Sequence, residues 1–362
     1  MSKTIEDINL KFESHGLSQW PANDLEYITL CPVCSGAERK ILHDGLIDNV
    51  FFVAPGKWTL FRCIQCNSAY LNPRPNLETI YLAYKNYYTH NQSAQFSSEN
   101  LHTVRWLQRL LANGYRNWLY GTNFQPSSIL GIPIVFFMPA IRATLNRQFR
   151  HLLPPPDGGC LLDVGFGDGS FLDNAKSIGW NVVGVDPDVK MVNNAQQRGL
   201  NVHQGSLEAF AEVNDHFDVI TLSHVIEHMH NPIESLRSCY RLLKPGGKIW
   251  IETPNIKSLG YSRFQENWRG LEPPRHLVLF NSESLCNALL DIGFYEINYN
   301  SQASPCHGIY TVSQRIKDGI DPRIDSPITL KLRFEIAVAK LIELIFKSRK
   351  EFIAITAIKK IK

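Results

Sequence analysis

From residue 160 onward, short apolar runs alternate with segments whose apolar positions recur at helical spacing. Cys160–Val164, Asn181–Asp186, 201–203, Phe217–Ser223 and 248–252 read as strands one to five. Between them, Phe171, Leu172, Ala175 and Ile178 mark a helix that Gly179 ends, and a second helix runs to Arg198 before Gly199. Asn231 caps a third, with Pro232 in its first turn. This alternation predicts an α/β fold with a doubly wound parallel sheet. A helix closed by Gly293 leads into a sixth strand, Phe294–Tyr299. A helical insertion follows, with Leu341, Ile342, Leu344 and Ile345 on one face, which is assigned to the core rather than to a membrane or partner. The last apolar run, 352–358, is expected as a seventh strand, antiparallel beside the fifth.

Upstream the pattern changes. Cys31-Pro32-Val33-Cys34 and Cys63-Ile64-Gln65-Cys66 are two C-x-x-C pairs, each able to bend into a knuckle that offers two thiolates. With strand-like runs at 50–53 and 58–62 between them, the pairs read as a ribbon around a closed, structural Zn2+ held by Cys31, Cys34, Cys63 and Cys66. An aromatic run to Tyr88 is expected to be helical, and 101–120 has helical spacing with Trp106, Leu107, Leu110, Leu111 and Trp118. Pro154-Pro155-Pro156-Asp157-Gly158-Gly159 is the clearest boundary. The chain thus divides into a tail (1–24), a zinc-ribbon domain (25–90), a helical connector or active-site cover (91–156) and an α/β domain (157–362).

Composition narrows this picture only slightly. The 362 residues are 44% hydrophobic and 20% charged, an ordinary globular balance, and a net charge of +3 gives no support for nucleic acid as a partner. Met1–Asp7 lacks the apolar core of a signal peptide. The apolar stretch 129–141 is broken by Pro133 and Pro139 and is shorter than the ~20 residues a spanning helix needs. A buried segment or an interfacial contact is expected there, with no transmembrane span. A cytoplasmic location follows as the expectation, peripheral membrane contact stays open, and the oligomeric state is not legible. In a reducing compartment the paired cysteines favour metal over disulfide.

The chemistry concentrates after the first strand of the α/β half. Asp163-Val164-Gly165-Phe166-Gly167-Asp168-Gly169 is a buried strand running into a glycine loop and a helix start, where a ligand can lie against bare backbone. Asp186 ends the second strand, where its carboxylate can accept both hydroxyls of a ribose. The spacing G-x-G-x-G, rather than G-x-G-x-x-G, points to a nucleoside without a pyrophosphate.

With these motifs in order, residues 157–362 resemble the class I S-adenosylmethionine-dependent methyltransferases, whose Rossmann-like sheet has seven strands. The resemblance rests on Asp163 to Gly169, Val185-Asp186-Pro187, Phe217-Asp218-Val219-Ile220 and Leu243-Lys244-Pro245-Gly246-Gly247. It implies that Asp163, Gly165, Gly167 and Gly169 flank the methionine part of the cofactor. Asp186 and Pro187 would hold the ribose, Ser206 and Leu207 the adenine, and Ser223 and His224 would face methionine and substrate. The family often has an acidic residue where this chain has Ser206. Together with the four-cysteine unit and Asn72-Pro73-Arg74-Pro75, the layout resembles bacterial methyltransferases acting on sugars, cell-surface glycans or natural products.

An oxygen or carbon acceptor must lose a proton during methyl transfer, which calls for a base titrating near neutrality. His276, in Leu271-Glu272-Pro273-Pro274-Arg275-His276, is the first candidate and His224 the second, with His228 behind them. Glu227 with His228 could bind a divalent ion or orient the next loop, and Trp268 and Arg269 line the acceptor pocket or pack a lid. The expected activity is methylation of a small molecule such as a sugar or sugar nucleotide, on oxygen in preference to carbon. An RNA methyltransferase reading RNA through the ribbon, or a non-catalytic cofactor-binding protein, are the alternatives.

Overall fold

The computed structural model describes residues 19–84, 102–156, 158–300 and 304–361. The expected tail up to residue 18, the aromatic run beyond Tyr84 and the start of the connector through residue 101 lie outside them. At the N-terminal end, β1 (Leu25–Glu26) pairs antiparallel with β5 (Arg74–Pro75). Between these, β2 (Arg39–Leu46), β3 (Trp58–Cys63) and β4 (Ala69–Leu71) form an antiparallel meander. The strand expected at 50–53 is instead a turn. There the Asp48 carboxylate accepts the backbone N–H groups of Phe51, Val53 and Ala54 at 2.9–3.1 Å, and Phe52 takes φ +56°. A local side-chain acceptor has displaced the ladder, and β2 fills the strand's place.

The connector holds α1 (His102–Tyr120), α2 (Gly131–Phe136) and α3 (Pro139–Arg147). Backbones touch between α1 and the chain entering α2: a Cβ on Gly114 would stand 1.8 Å from the Ser128 carbonyl oxygen, and one on Gly131 would stand 2.0 Å from that of Leu111. Glycine is required at both. Of the apolar stretch 129–141 only part is buried: Val135 packs into the core, while Ile129 and Phe137 are more than three-quarters exposed.

Downstream, the sheet runs in the order β12-β13-β10-β9-β6-β7-β8. Its parallel strands are β6 (Cys160–Val164), β7 (Asn181–Asp186), β8 (Asn201–Gln204), β9 (Phe217–Ser223) and β10 (Leu243–Pro254). A short pair, β11 (Val278–Leu279), leaves this half altogether and pairs with β4, completing the N-terminal sheet. β12 (Phe294–Tyr299) forms one edge, and β13 (Phe352–Lys359) lies antiparallel between β10 and β12. The doubly wound seven-stranded sheet is as expected, including its last strand beside the fifth. Nearly every position of β6, β9 and β10 after Lys248 is buried, because helices cover both faces.

The helices of this half are α4 (Ser170–Ser177), α5 (Val189–Gln197), α6 (Pro232–Leu242), α7 (Leu259–Phe264), α8 (Ser282–Ile292), α9 (Cys306–Lys317) and α10 (Leu330–Ile345). Asn231 stands at the N-cap of α6 but makes no side-chain capping bond, leaving Pro232 as the start signal. In α10 the expected core face is wrong. Leu332, Ile336, Ala339 and Glu343 are buried, while Leu341, Leu344 and Ile345 are exposed. The insertion is apolar on two faces, and sequence periodicity could not tell which one packs. No helix among the described residues is long and apolar enough to cross a membrane.

Candidate active site

The parallel strands end together at one edge, and the predicted cofactor residues gather there. After β6 the chain turns through Gly165, Gly167 and Gly169, all at positive φ (+65°, +59° and +75°), and enters α4 with Gly169 as its N-cap. A Cβ on Gly167 would meet nothing within 4 Å, so this loop presents bare backbone to open space. Asp186 closes β7 nearly buried, and its Oδ2 accepts the Gly167 N–H at 3.0 Å while Oδ1 accepts that of Asp188 at 2.9 Å. Each oxygen keeps a lone pair for a ligand hydroxyl. Burial pushes this carboxyl above the usual range, and its backbone donors oppose the shift. Pro187 follows directly. Gly205 N–H donates to the Asp186 carbonyl at 3.0 Å, which brings Ser206 and Leu207 alongside; the Ser206 hydroxyl caps the short turn Leu207–Phe210. Ser223 closes β9, in register with Glu252 on β10.

Asp163 is fully buried at the end of β6. The Arg150 guanidinium donates to its Oδ1 and, at 2.6 Å, to the Thr221 hydroxyl, which itself donates to Asp163 at 2.8 Å. Asp163 Oδ2 has no partner. A ligand cation would satisfy it, so Asp163, the open glycine loop and Asp186 together fit an S-adenosylmethionine molecule with its ammonium and ribose.

A second arginine of the connector enters the same edge. Arg147 grips the buried Glu252 carboxylate, with Nε at 3.1 and 3.2 Å from its two oxygens. His224, at φ +54°, sets Nε2 3.1 Å from Glu252 Oε1 and Nδ1 3.3 Å from Glu227 Oε1. Burial alone would lower the His224 pKa, but the two carboxylates outweigh it and raise it to about 9. His224 is therefore an imidazolium at neutral pH.

His276 lies beyond Glu227. Its Nδ1 donates to the Gly270 carbonyl at 2.8 Å, which leaves the lone pair on Nε2, 3.7 Å from Glu272. Burial lowers its pKa to about 4 against the pull of Glu272, so the ring is neutral. His228 is oriented alike: its Nδ1 is 2.9 Å from the Arg275 carbonyl, which can only accept. The rings of His228 and His276 are 4.8 Å apart. Ligand atoms of Glu227, His228 and His276 come within 4.8 Å of one another and could hold a divalent ion, since carbonyl-anchored imidazoles are the usual metal-ligating form. Trp268 is buried and donates through Nε1 to Glu351 at 3.0 Å, and Arg269 pairs with Glu272; Trp268 is thus packing, not pocket wall.

The four cysteines form a separate centre. Ser35 and Asn67, one residue past each C-x-x-C, both adopt φ +59°, and their N–H groups donate back to Cys31 and Cys63 carbonyls at 2.9 and 3.1 Å. Cys31 and Cys66 sulfurs are 3.7 Å apart, those of Cys34 and Cys63 3.5 Å. Tetrahedral Zn–S bonds of ~2.3 Å put sulfurs about 3.8 Å apart, so the set fits zinc.

The sequence reading missed Arg147, Arg150, Thr221, Glu252 and Glu272. One signal was present. Residues 102–156 contain six arginines and no carboxylate, so any ion-pair partner had to lie elsewhere in the chain.

Residues 138–298 match the family model described as a methyltransferase domain. That segment is a methyltransferase domain, and its sheet has the class I fold. The match begins ahead of the proline–glycine boundary and takes in α3 with Arg147 and Arg150. Among curated relatives of this chain, the ubiquinone biosynthesis O-methyltransferase of Rattus norvegicus mitochondria is 33% identical over 151 residues, 38% of this chain and 44% of the relative. The ubiquinone biosynthesis O-methyltransferase of Vibrio cholerae serotype O1 is 34% identical over 110 residues, 28% of this chain and 45% of the relative. The chain thus spans less than half the length of these relatives. Neither is named for a sugar acceptor. A solved SAM-dependent methyltransferase from Archaeoglobus fulgidus is 22% identical with a TM-score of 0.41, covering 62% of this chain and 94% of that one.

Proposed function

We propose that the protein moves a methyl group from S-adenosylmethionine to a hydroxyl oxygen of a small-molecule acceptor. The observation that carries the reading is Asp186, buried at the end of β7 and tied to Gly167 of an open glycine loop at 3.0 Å. Asp163, Gly165, Gly167, Gly169 and Ser223 would border the methionine part. Asp186 and Pro187 would hold the ribose, and Ser206 with Leu207 the adenine. The cofactor supplies an electrophilic methyl on a sulfonium. The chain's own task is to position the acceptor and take its proton.

His276 is the proposed base, although burial holds its pKa at about 4 instead of near neutrality, so the ring is unprotonated at neutral pH but a weak proton acceptor. Its Nε2 carries the lone pair, and Glu272 at 3.7 Å would stabilise the imidazolium formed. His224, already charged, serves as a donor and positive neighbour beside Glu227 and Glu252. A structural zinc on Cys31, Cys34, Cys63 and Cys66 belongs to the same reading.

Two acceptor classes have support. The resemblance of the four-cysteine layout favours a sugar, sugar nucleotide or glycan precursor. The names of the relatives favour an acceptor of ubiquinone biosynthesis. Calorimetry should show S-adenosylmethionine binding that Asp186→Ala weakens by ~10- to 100-fold, the range for a lost hydrogen bond to a charged group. Equal affinities would overturn the cofactor site. A labelled-methyl screen across both acceptor classes then identifies the acceptor, and near-normal turnover by His276→Gln would remove His276 as base.

A further inference from the structure

The insertion between the sixth and seventh strands leaves an apolar face uncovered. Thr329 caps α10, its hydroxyl accepting the Leu332 N–H at 3.2 Å, and the helix then carries two opposed stripes. Leu332, Ile336 and Ala339 pack against Cys306 and Tyr310 of α9. On the other side Leu330, Phe334, Val338, Leu341, Leu344 and Ile345 are between 39% and 82% exposed. Steps of four, four, three and four residues put Leu330, Phe334, Val338, Leu341 and Ile345 on a single line. Sixteen residues at ~1.5 Å each make that line about 24 Å long.

The charges around the stripe have one sign. Lys331, Arg333, Lys340, Lys347 and Arg349 are exposed on the helix and the turn after it. Both carboxylates of α10 are withdrawn: Glu335 is paired with Arg263 at 3.1 Å, and Glu343 is buried. A second copy laid on this face would set cations against cations with no exposed carboxylate on the helix to pair them. An anionic lipid surface matches both features, taking the apolar side chains to the acyl boundary while lysine and arginine stems reach up to the headgroups.

We propose that α10 docks the protein on the surface of an anionic membrane through this stripe. The docked helix ends where the active-site edge begins, since the Asn255 side-chain amide, three residues after Glu252, donates to the Ser348 and Lys350 carbonyls at 2.9 and 2.8 Å. Docking thus sets the strand-end groups close to the bilayer.

The test is co-sedimentation of the full chain, without cofactor or acceptor, so that it stands apart from the proposed reaction. The vesicles are phosphatidylcholine alone, and phosphatidylcholine with one-third phosphatidylglycerol, at physiological salt. Wild type should partition onto the phosphatidylglycerol vesicles and not onto phosphatidylcholine alone. Changing Lys331, Arg333 and Lys340 together to Gln should weaken partitioning by roughly 100-fold, from the usual contribution of each cation near an anionic surface. Phe334→Ser with Leu341→Ser, both at exposed positions, should abolish it while thermal unfolding stays unchanged. Equal binding to both vesicle types, or retention by either variant, overturns the proposal. So does a wild-type dimer in sedimentation velocity that ignores vesicles and dissolves in the Phe334→Ser, Leu341→Ser variant, which would make the stripe a contact between copies.

Discussion

Arg275 grips both carboxylate oxygens of Asp48 with two guanidinium nitrogens, at 3.0 and 2.5 Å, across 227 residues of sequence. Both side chains are fully buried. The contact joins the turn after β2 to the loop that carries His276, and the same Asp48 carboxylate organises the turn's backbone. With β11 paired to β4, it makes the four-cysteine unit the clamp on the candidate base loop. Asp48→Ala would remove the two-pronged carboxylate partner of a fully buried Arg275 charge. Losing one partner of a buried pair costs about 3 kcal/mol or more. Urea unfolding of the variant should show that loss, and a change below ~1 kcal/mol would mean the pair contributes little beyond its neighbours.

Arg150 and Asp163 form the second buried pair, between the connector and the end of β6. Arg150→Met keeps an apolar side chain of similar length but removes the charge, together with the guanidinium whose carbon sits 3.8 Å from the Phe171 ring centroid. The single variant should lose about 3 kcal/mol, because Asp163 stays buried and uncompensated. Adding Asp163→Asn should restore part of that stability, as the charge itself is then gone. Denaturation of the two single variants and the double variant gives the coupling directly, and strictly additive losses would show that the two residues act independently.

These pairs mark where the sequence stopped being legible. The strand order, the antiparallel seventh strand, Asp186 and the glycine loop could all be read, because each follows from local periodicity and turn chemistry. Asp48, Arg147, Arg150 and Arg275 could not, since their partners lie 13 to 227 residues away and nothing local distinguishes them from surface charges. The turn at 50–53 departs from its strand-like sequence for a related reason. Val50, Phe51, Phe52 and Val53 have strand propensity, but one buried carboxylate two residues upstream overrides it. The buried face of α10 is not legible in its periodicity because both of its sides are apolar.

Metal removal should uncouple the clamp. Two knuckles of matching backbone geometry bring the four sulfurs within 4.8 Å of one another, and a metal there would tie the ends of the N-terminal meander together. Elemental analysis should find about one zinc per chain. A strong chelator, or Cys31→Ser with Cys66→Ser, should lower the melting temperature and raise amide exchange in β2–β4 and β11 together. Zinc-free protein with unchanged melting would show that the four thiols need no ion.

Glu351 gives the fold a pH dependence of definite sign. It is fully buried, accepts the Gly260 N–H at 2.6 Å and the Trp268 indole N–H at 3.0 Å, and pairs with no cation among the described residues. Burial chiefly, with Glu343 nearby, raises its pKa to about 7. An unfolded chain releases this proton near the ordinary value of ~4.3, whereas the folded chain keeps it until about pH 7. Between those values the folded state binds the extra proton, so raising the pH costs stability, up to about 4 kcal/mol once both states are ionised. Glu351→Gln removes this dependence. Urea midpoints should therefore fall more steeply from pH 5 to 8 in wild type than in the variant, and parallel curves would mean that Glu351 is already ionised in the fold at pH 5.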